Sequence, residues 1–191
     1  MSFQSRRRFL WVLFLAGIAI TTLLVAITNG TTLARLSLEE LAHRASAVAR
    51  VRCLAVQSLW DRNEIWTETQ FEVVEREKGL LGGLVTVRTL GGSIGNLHSH
   101  VDGVPAFRPE EEVYLFLWGN PGEPYRVLGW SQGTFRIGRD ARNATERVSQ
   151  DSAAMPVYQP ETRDFRRDGI RNLPVADFKR RLEKALEQNA P

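Results

Sequence analysis

Two runs decide the fold: Ala47-Val48-Ala49-Arg50-Val51-Arg52-Cys53-Leu54-Ala55 and Ile65-Trp66-Thr67-Glu68-Thr69-Gln70-Phe71-Glu72-Val73, with Asp61-Arg62-Asn63-Glu64 immediately before the second. In the first run Ala47, Ala49, Val51, Cys53 and Ala55 point one way while Arg50 and Arg52 point the other. In the second, Ile65, Thr67, Thr69, Phe71 and Val73 alternate with Trp66, Glu68, Gln70 and Glu72. A period of two is the pattern of a half-buried strand, and the polar stretch Asp61-Arg62-Asn63-Glu64 ahead of the second run is a turn, so the pair reads as an antiparallel hairpin. Cys53 falls on the apolar side and is expected in the core. It is the single cysteine of the chain, which excludes an internal disulfide, a cysteine zinc site and a CxxC redox pair.

Working toward the C-terminus, Lys78-Gly79 and Gly82-Gly83 interrupt the chain before a short strand carrying Val85 and Val87. Gly91, Gly92 and Gly95 open a longer loop that reaches Pro105. Val113 to Trp118 is apolar on both faces, the pattern of a central or covered strand. Asn120-Pro121-Gly122 is a turn signal, and Tyr125 to Leu128 and Thr134 to Ile137 read as two further strands. From 140 to 172 the chain is polar and is expected to be a surface excursion, partly disordered. Pro174 then suits a first helical turn, and Val175, Phe178, Leu182 and Ala185 form the apolar stripe of a helix over 173–191. Toward the N-terminus, Ser37-Leu38-Glu39-Glu40 has the form of a capping box opening a short helix with Leu38, Leu41, Ala42 and Ala45 on one face. The expected fold is mainly β (α+β): a small OB-like barrel or sandwich of five to six strands within 31–139, flanked by the two helices.

Before this body lies a hydrophobic leader, assigned to residues 1–30 as a signal peptide or transmembrane anchor. Phe9 to Ile27 carries no charge, and its nineteen residues span about 28 Å as a helix, roughly one hydrocarbon thickness. Arg6, Arg7 and Arg8 precede it, so the positive-inside rule sends the remainder of the chain outward. The expected location is extracytoplasmic: periplasmic, secreted or anchored to the inner membrane by 9–27. The length of the run favours a retained anchor, whereas Thr28-Asn29-Gly30 and Thr32-Leu33-Ala34 offer small residues to a signal peptidase, and both outcomes stand. Ser5-Arg6-Arg7-Arg8-Phe9-Leu10 also resembles a twin-arginine export signal, alongside the general secretory route.

The basic balance of the chain comes from the leader. Three of 25 Lys and Arg lie there, leaving 22 against 22 acidic residues in the body. Nucleic-acid binding needs a cationic surplus, so no nucleic-acid partner is expected. Gly91-Gly92-Ser93-Ile94-Gly95 has no helix pattern after it and is no phosphate cradle, and no G-x-S-x-G elbow is present. No cofactor is expected.

Between Leu36 and Ile137 the motifs Ser37-Leu38-Glu39-Glu40-Leu41, Lys78-Gly79, Gly91-Gly92, Gly103-x-Pro105-x-Phe107 and Gln132-Gly133-x-Phe135 resemble those of a family of exported bacterial β-domains of uncharacterised activity. The helix-then-hairpin opening is similar to netrin-like modules of the tissue-inhibitor-of-metalloproteinase type, which implies an OB-fold barrel. Those inhibitors act through an N-terminal cysteine and several disulfides. The lone Cys53 does not supply that apparatus, so the resemblance informs fold rather than activity.

Two candidate sites emerge. In His98-Ser99-His100-Val101-Asp102 a continuous strand would put both imidazoles on one face with Asp102 adding an oxygen, a set similar to the H-x-H-x-D-H of metallo-β-lactamase-type zinc hydrolases, with Gly103 where that motif has its last histidine. The bland reading is a polar loop. Trp60, Trp66, Trp118 and Trp130 are many tryptophans for so small a body. Core or barrel-rim packing is the expected place for most of them, and on outward strand positions they offer a stacking platform for a glycan or peptide; Trp66 stands out because its neighbours on the same face are Glu68, Gln70 and Glu72. The expected function is therefore an exported, non-enzymatic interaction or accessory domain whose partner is an extracytoplasmic protein or glycan. A metal-binding protein or metal-dependent hydrolase using His98, His100 and Asp102 is the alternative, and a netrin-like protease inhibitor a further one.

Overall fold

The computed structural model describes residues 34–140 and 144–188. The leader, with Arg6, Arg7 and Arg8, lies outside the described residues. Among the described residues no helix is long and apolar enough to cross a membrane. The elements run α1 (Leu38–Arg44), β1 (Ala47–Asp61), β2 (Glu64–Lys78), β3 (Leu84–Leu90), β4 (Gly92–Ile94), β5 (Leu97–Ser99), β6 (Glu112–Trp118), β7 (Arg126–Val127), β8 (Thr134–Arg139), β9 (Glu146–Gln150), β10 (Pro156–Gln159), β11 (Asp164–Arg167), β12 (Leu173–Pro174) and α2 (Val175–Glu187).

The hairpin of β1 and β2 is the longest feature. It closes at Asp61 opposite Glu64, with Arg62 at φ 47° and Asn63 at φ 70°. Two left-handed residues give a turn whose twist matches that of the flanking strands. β1 also pairs antiparallel with β6 from Ala47–Leu117 to Arg52–Glu112, so its first half is central. The large antiparallel sheet has eight strands in the order β12-β9-β8-β6-β1-β2-β3, with β7 added to β6. β7 meets β6 through Leu117–Val127 and Trp118–Arg126. Just before it, Tyr125 makes a parallel bridge to Val87 on β3: its N–H donates to Thr86 O, and Arg88 N–H donates to Tyr125 O, each at 2.8 Å. The backbone path β6-β1-β2-β3 thus returns to β6 through residues 125–127.

This arrangement explains why β6 is apolar on both faces. Val113, Leu115 and Leu117 join Ala49, Val51, Cys53 and Phe71 in one core, whereas Tyr114 and Phe116 join Val48 and the two helices in a second. Cys53 is fully buried, as its strand position requires, and burial, ahead of the charges of Glu111 and Glu110, pushes its thiol pKa up. The helical core is aromatic: the Phe178 ring lies 5.0 Å from both Tyr114 and Phe135. Phe178, Leu182 and Ala185 are the buried stripe of α2, in keeping with their spacing.

α1 opens with the expected capping box, Glu40 N–H donating to Ser37 Oγ at 3.1 Å and Ser37 N–H to Glu40 Oε2 at 2.7 Å. Its other end is held from the hairpin: Lys78 Nζ donates to Ala42 O at 2.7 Å and to His43 O at 3.2 Å. A cation on terminal helix carbonyls satisfies otherwise unpaired acceptors and complements the dipole. Lys78→Met keeps the length and removes both bonds, and is expected to cost about 1 kcal/mol in thermal unfolding. A second test concerns Glu77. Its Oε1 is buried without a hydrogen bond, the Lys179 Nζ standing 3.9 Å away. Burial first, then the charge of Glu75, raises its carboxyl above the ordinary range. A raised folded pKa favours the fold when the group is protonated, and that benefit is lost as pH rises through the folded value. Glu77→Gln is therefore expected to melt higher than the parent at pH 7, with the gap closing on acidification below the folded pKa.

One expectation requires correction: the strands outnumber the five or six expected. Within 140–172 the described residues include β9, β10 and β11. Strands of two to five residues are too short for periodicity to register. This region is also anchored by buried amides, which a hydropathy pattern reads as surface. Gln150 Nε2 donates to Gln132 O at 2.7 Å, and Gln150 Oε1 accepts from Ile170 N–H at 3.2 Å. Gln132 in turn accepts from Leu36 N–H and donates to Ala34 O, at 2.7 and 2.8 Å, tying the incoming chain to the sheet.

Candidate functional site

Trp66 on β2 and Arg88 on β3 share the outer face because the register pairs Trp66 with Leu90 and Glu68 with Arg88, and residues two apart in a strand point alike. Trp118 and Arg126 are brought beside them by the β6–β7 pairing and the Tyr125 bridge to β3. The guanidinium carbons of Arg88 and Arg126 each lie 4.8 Å from the Trp66 ring centre, and that of Arg126 lies 6.0 Å from Trp118. These are cation–π distances. The four side chains, with Trp130 and the edges of Thr89, Leu90, Val104 and Val127, line a cleft of about 150 Å³. Trp130 is delivered by a tight left-handed step, Gly129 at φ 63° followed by Trp130 at φ 55°.

The two arginines differ. Arg88 donates to Asp61 Oδ2 at 2.5 Å, and its Nε is buried without a hydrogen-bond partner. Arg126 is exposed, and its contacts are the two indoles; among the described residues it has no acidic partner. The strand pattern marks Trp66 as an open platform, yet two guanidinium groups lie over its ring. Trp118, 48% exposed, presents the freer ring. Trp60 is 52% exposed near the hairpin tip and is not part of the cleft lining. A period-two reading locates Trp66. The contributions of Arg88, Arg126, Trp118 and Trp130 stay hidden from it because they depend on which strands become neighbours.

The histidine loop departs from expectation. β5 ends at Ser99, so the alternation that would align His98 with His100 stops between them. His98 Nδ1 lies 2.8 Å from Ser93 Oγ across the β4–β5 pair. His100 Nε2 is 3.2 Å from Asp102 Oδ1, the two side chains being 84% and 90% exposed. Among the described residues no three His, Cys, Asp or Glu side chains come together to hold a metal, and His98, His100 and Asp102 do not converge. His43 lies in the last turn of α1.

The remaining charge clusters tie strands together. Arg50 donates to Glu112 and Glu146, and Arg52 to Glu112 and Glu72. Burial opposes ionisation of Glu112, but hydrogen bonds from Arg52 and Arg50 outweigh it and hold the carboxyl below its ordinary pKa. Burial would likewise lower Arg50, and its bonds to Glu146 and Glu112 raise it instead. Arg136 bonds Asp151 at 2.6 and 2.8 Å, Glu111 and the carbonyl of Ala106. In the run Glu110-Glu111-Glu112, Glu111 and Glu112 thus bind arginines of β8 and β1.

The motifs that carried the family resemblance are structural. Gly79 stands at φ 81° and Gly91 at φ 90°, and a Cβ on either meets backbone, Ser46 O or Ser99 O. Gly103 O accepts from Ser131 N–H at 2.9 Å, and the Phe107 ring meets Phe71 edge-on at 5.0 Å. No protein-family model, no curated protein and no solved structure matches the chain.

Proposed function

We propose that this chain is an exported binding domain that holds an extracytoplasmic ligand in the tryptophan–arginine cleft, and that the ring β1-β2-β3-β7-β6 is an OB-like barrel. The leader supports export: an uncharged span behind three arginines directs the rest of the polypeptide across the membrane. The parallel Val87–Tyr125 bridge supports the barrel, since it brings the edge of β3 back to β6 through β7. Binding surfaces of OB folds use the face of the second and third strands, and Trp66 and Arg88 stand on β2 and β3. The observation that carries the reading is the cleft itself, where three indoles and two guanidinium groups converge from four strands and a turn.

Two measurements test it. Protease added to spheroplasts expressing the full chain is expected to digest residues beyond the leader; protection of the intact body inside the cell would refute export. The full chain in detergent is then titrated with neutral and acidic oligosaccharides while tryptophan fluorescence is followed. Saturable quenching that weakens about tenfold or more in Trp118→Ala is expected. A Trp118→Ala protein that binds as the parent does would remove the cleft from the function.

A further inference from the structure

Resting on the reading of the cleft as a ligand site, we infer that its ligand is an acidic sugar unit, a uronic-acid residue within a longer polysaccharide, with Arg126 receiving the carboxylate and Trp118 the ring. Charge points there first. The lining contains two guanidinium groups and no carboxylate. The charge of Arg88 is met from the side by Asp61, and that of Arg126 is met by no acid among the described residues. The cleft therefore carries one uncompensated positive charge beside apolar rings, and suits a ligand with one negative charge per unit.

The chemistry of Arg126 selects the kind of anion. Its guanidinium carbon lies 4.8 Å from the Trp66 ring centre and 6.0 Å from that of Trp118. A guanidinium is planar and offers paired N–H donors, and a carboxylate matches two parallel N–H donors. The half-exposed ring of Trp118 supplies the apolar contact. The C–H face of a pyranose is weakly positive and suits the negative face of an indole.

Size and charge narrow the class further. At about 150 Å³ the cleft is smaller than the ~300–1,000 Å³ that enclose a whole drug-sized ligand, so it takes one ring of a polymer that continues along the surface. A single-stranded nucleic acid also offers rings and anions. It requires several cations along its track, whereas the body of this chain has 22 basic against 22 acidic residues and the cleft one unpaired arginine.

The test uses the full chain in detergent with four probes: oligogalacturonate, its fully methyl-esterified form, a maltooligosaccharide and oligodeoxythymidylate, read by calorimetry and tryptophan quenching. Oligogalacturonate is expected to bind, and methyl esterification, which keeps the ring and removes the charge, to weaken binding at least tenfold. Arg126→Gln is expected to weaken the acid by a similar factor. Arg126→Lys, keeping charge without the fork, should not restore it. Trp118→Ala should weaken acid and ester alike. Because Arg126 is exposed, its variants are expected to melt with the parent, which separates lost binding from lost folding. Equal binding of acid and ester, indifference to Arg126→Gln, absent binding of oligogalacturonate, or tighter binding of oligodeoxythymidylate each overturns the inference. Binding of maltooligosaccharide that depends on Trp118 and not on Arg126 would overturn the acidic class while leaving the cleft a ligand site. No binding of any probe, with Trp118→Ala silent throughout, tells against both.

Discussion

Phe178→Ala is expected to destabilise the protein by about 3–5 kcal/mol, the largest loss from a single truncation in the helical core. Phe178 is fully buried and packs α2 on the sheet, its ring 5.0 Å from Tyr114 on β6 and 5.0 Å from Phe135 on β8. Truncation removes the transfer free energy of an aromatic ring and leaves a hole that two other rings on rigid strands cannot collapse to fill. α2 is thirteen residues long, marginal as an isolated helix in water, so its order depends on this face. For a body of this size each kcal/mol shifts the melting point by about 2–4 °C, so a fall of roughly 6–20 °C in the circular-dichroism melt is expected. Phe178→Leu, which keeps most of the volume, should recover more than half of it. A melt within about 2 °C of the parent for Phe178→Ala, less than one kcal/mol on that scale, would mean that α2 is not anchored through this ring.

The second large effect is expected at Gly133. Its φ lies outside the left-handed region, so nothing in the backbone dihedral demands glycine. The constraint is space: a Cβ would run into the carbonyl oxygen of Leu128 and stand 3.2 Å from Val127 Cγ1. Backbone cannot swing aside as a flexible side chain can, so Gly133→Ala forces the short turn at Trp130–Gly133 away from β7. Overpacking of this kind costs about 1–3 kcal/mol and more where backbone must shift, and the upper part of that range is expected here. The displacement would also disturb Trp130 in the cleft and Gln132, whose amide ties down Leu36 and Ala34. Gly133→Ala should therefore lower the melting point and alter tryptophan emission together. Gly138→Ala is the control, because a Cβ there meets nothing within 4 Å, and its melt should stay with the parent.

How far these features are legible in the sequence depends on the range of the interaction behind each one. The hairpin, the capping box at Ser37 and the stripe of α2 are local: periodicity and short spacing specify them before any distant partner is chosen. The two-faced apolarity of Val113–Trp118 implies a covered strand, and the structure supplies the covers, a β core on one side and two helices on the other. The region after 140 escapes such a reading because its order rests on buried glutamines and two-residue pairings, polar elements that resemble surface until their partners are known. The histidine loop differs from its expected geometry for another reason. Its expected face requires a strand to continue past Ser99, and the strand ends there.

Composition and pattern alone determined a mainly β body with a helix at either end and a core cysteine, because hydrophobic burial follows the period of each segment. Tertiary structure alone decided that Trp66, Arg88, Trp118, Trp130 and Arg126 share one cleft, that Lys78 closes the end of α1, and that Gly133 has no room for a methyl group. The shared cleft comes from the register of β2 on β3 and of β7 on β6. Register sets which distant side chains meet, and it is chosen by the packing of the whole sheet rather than by any one strand.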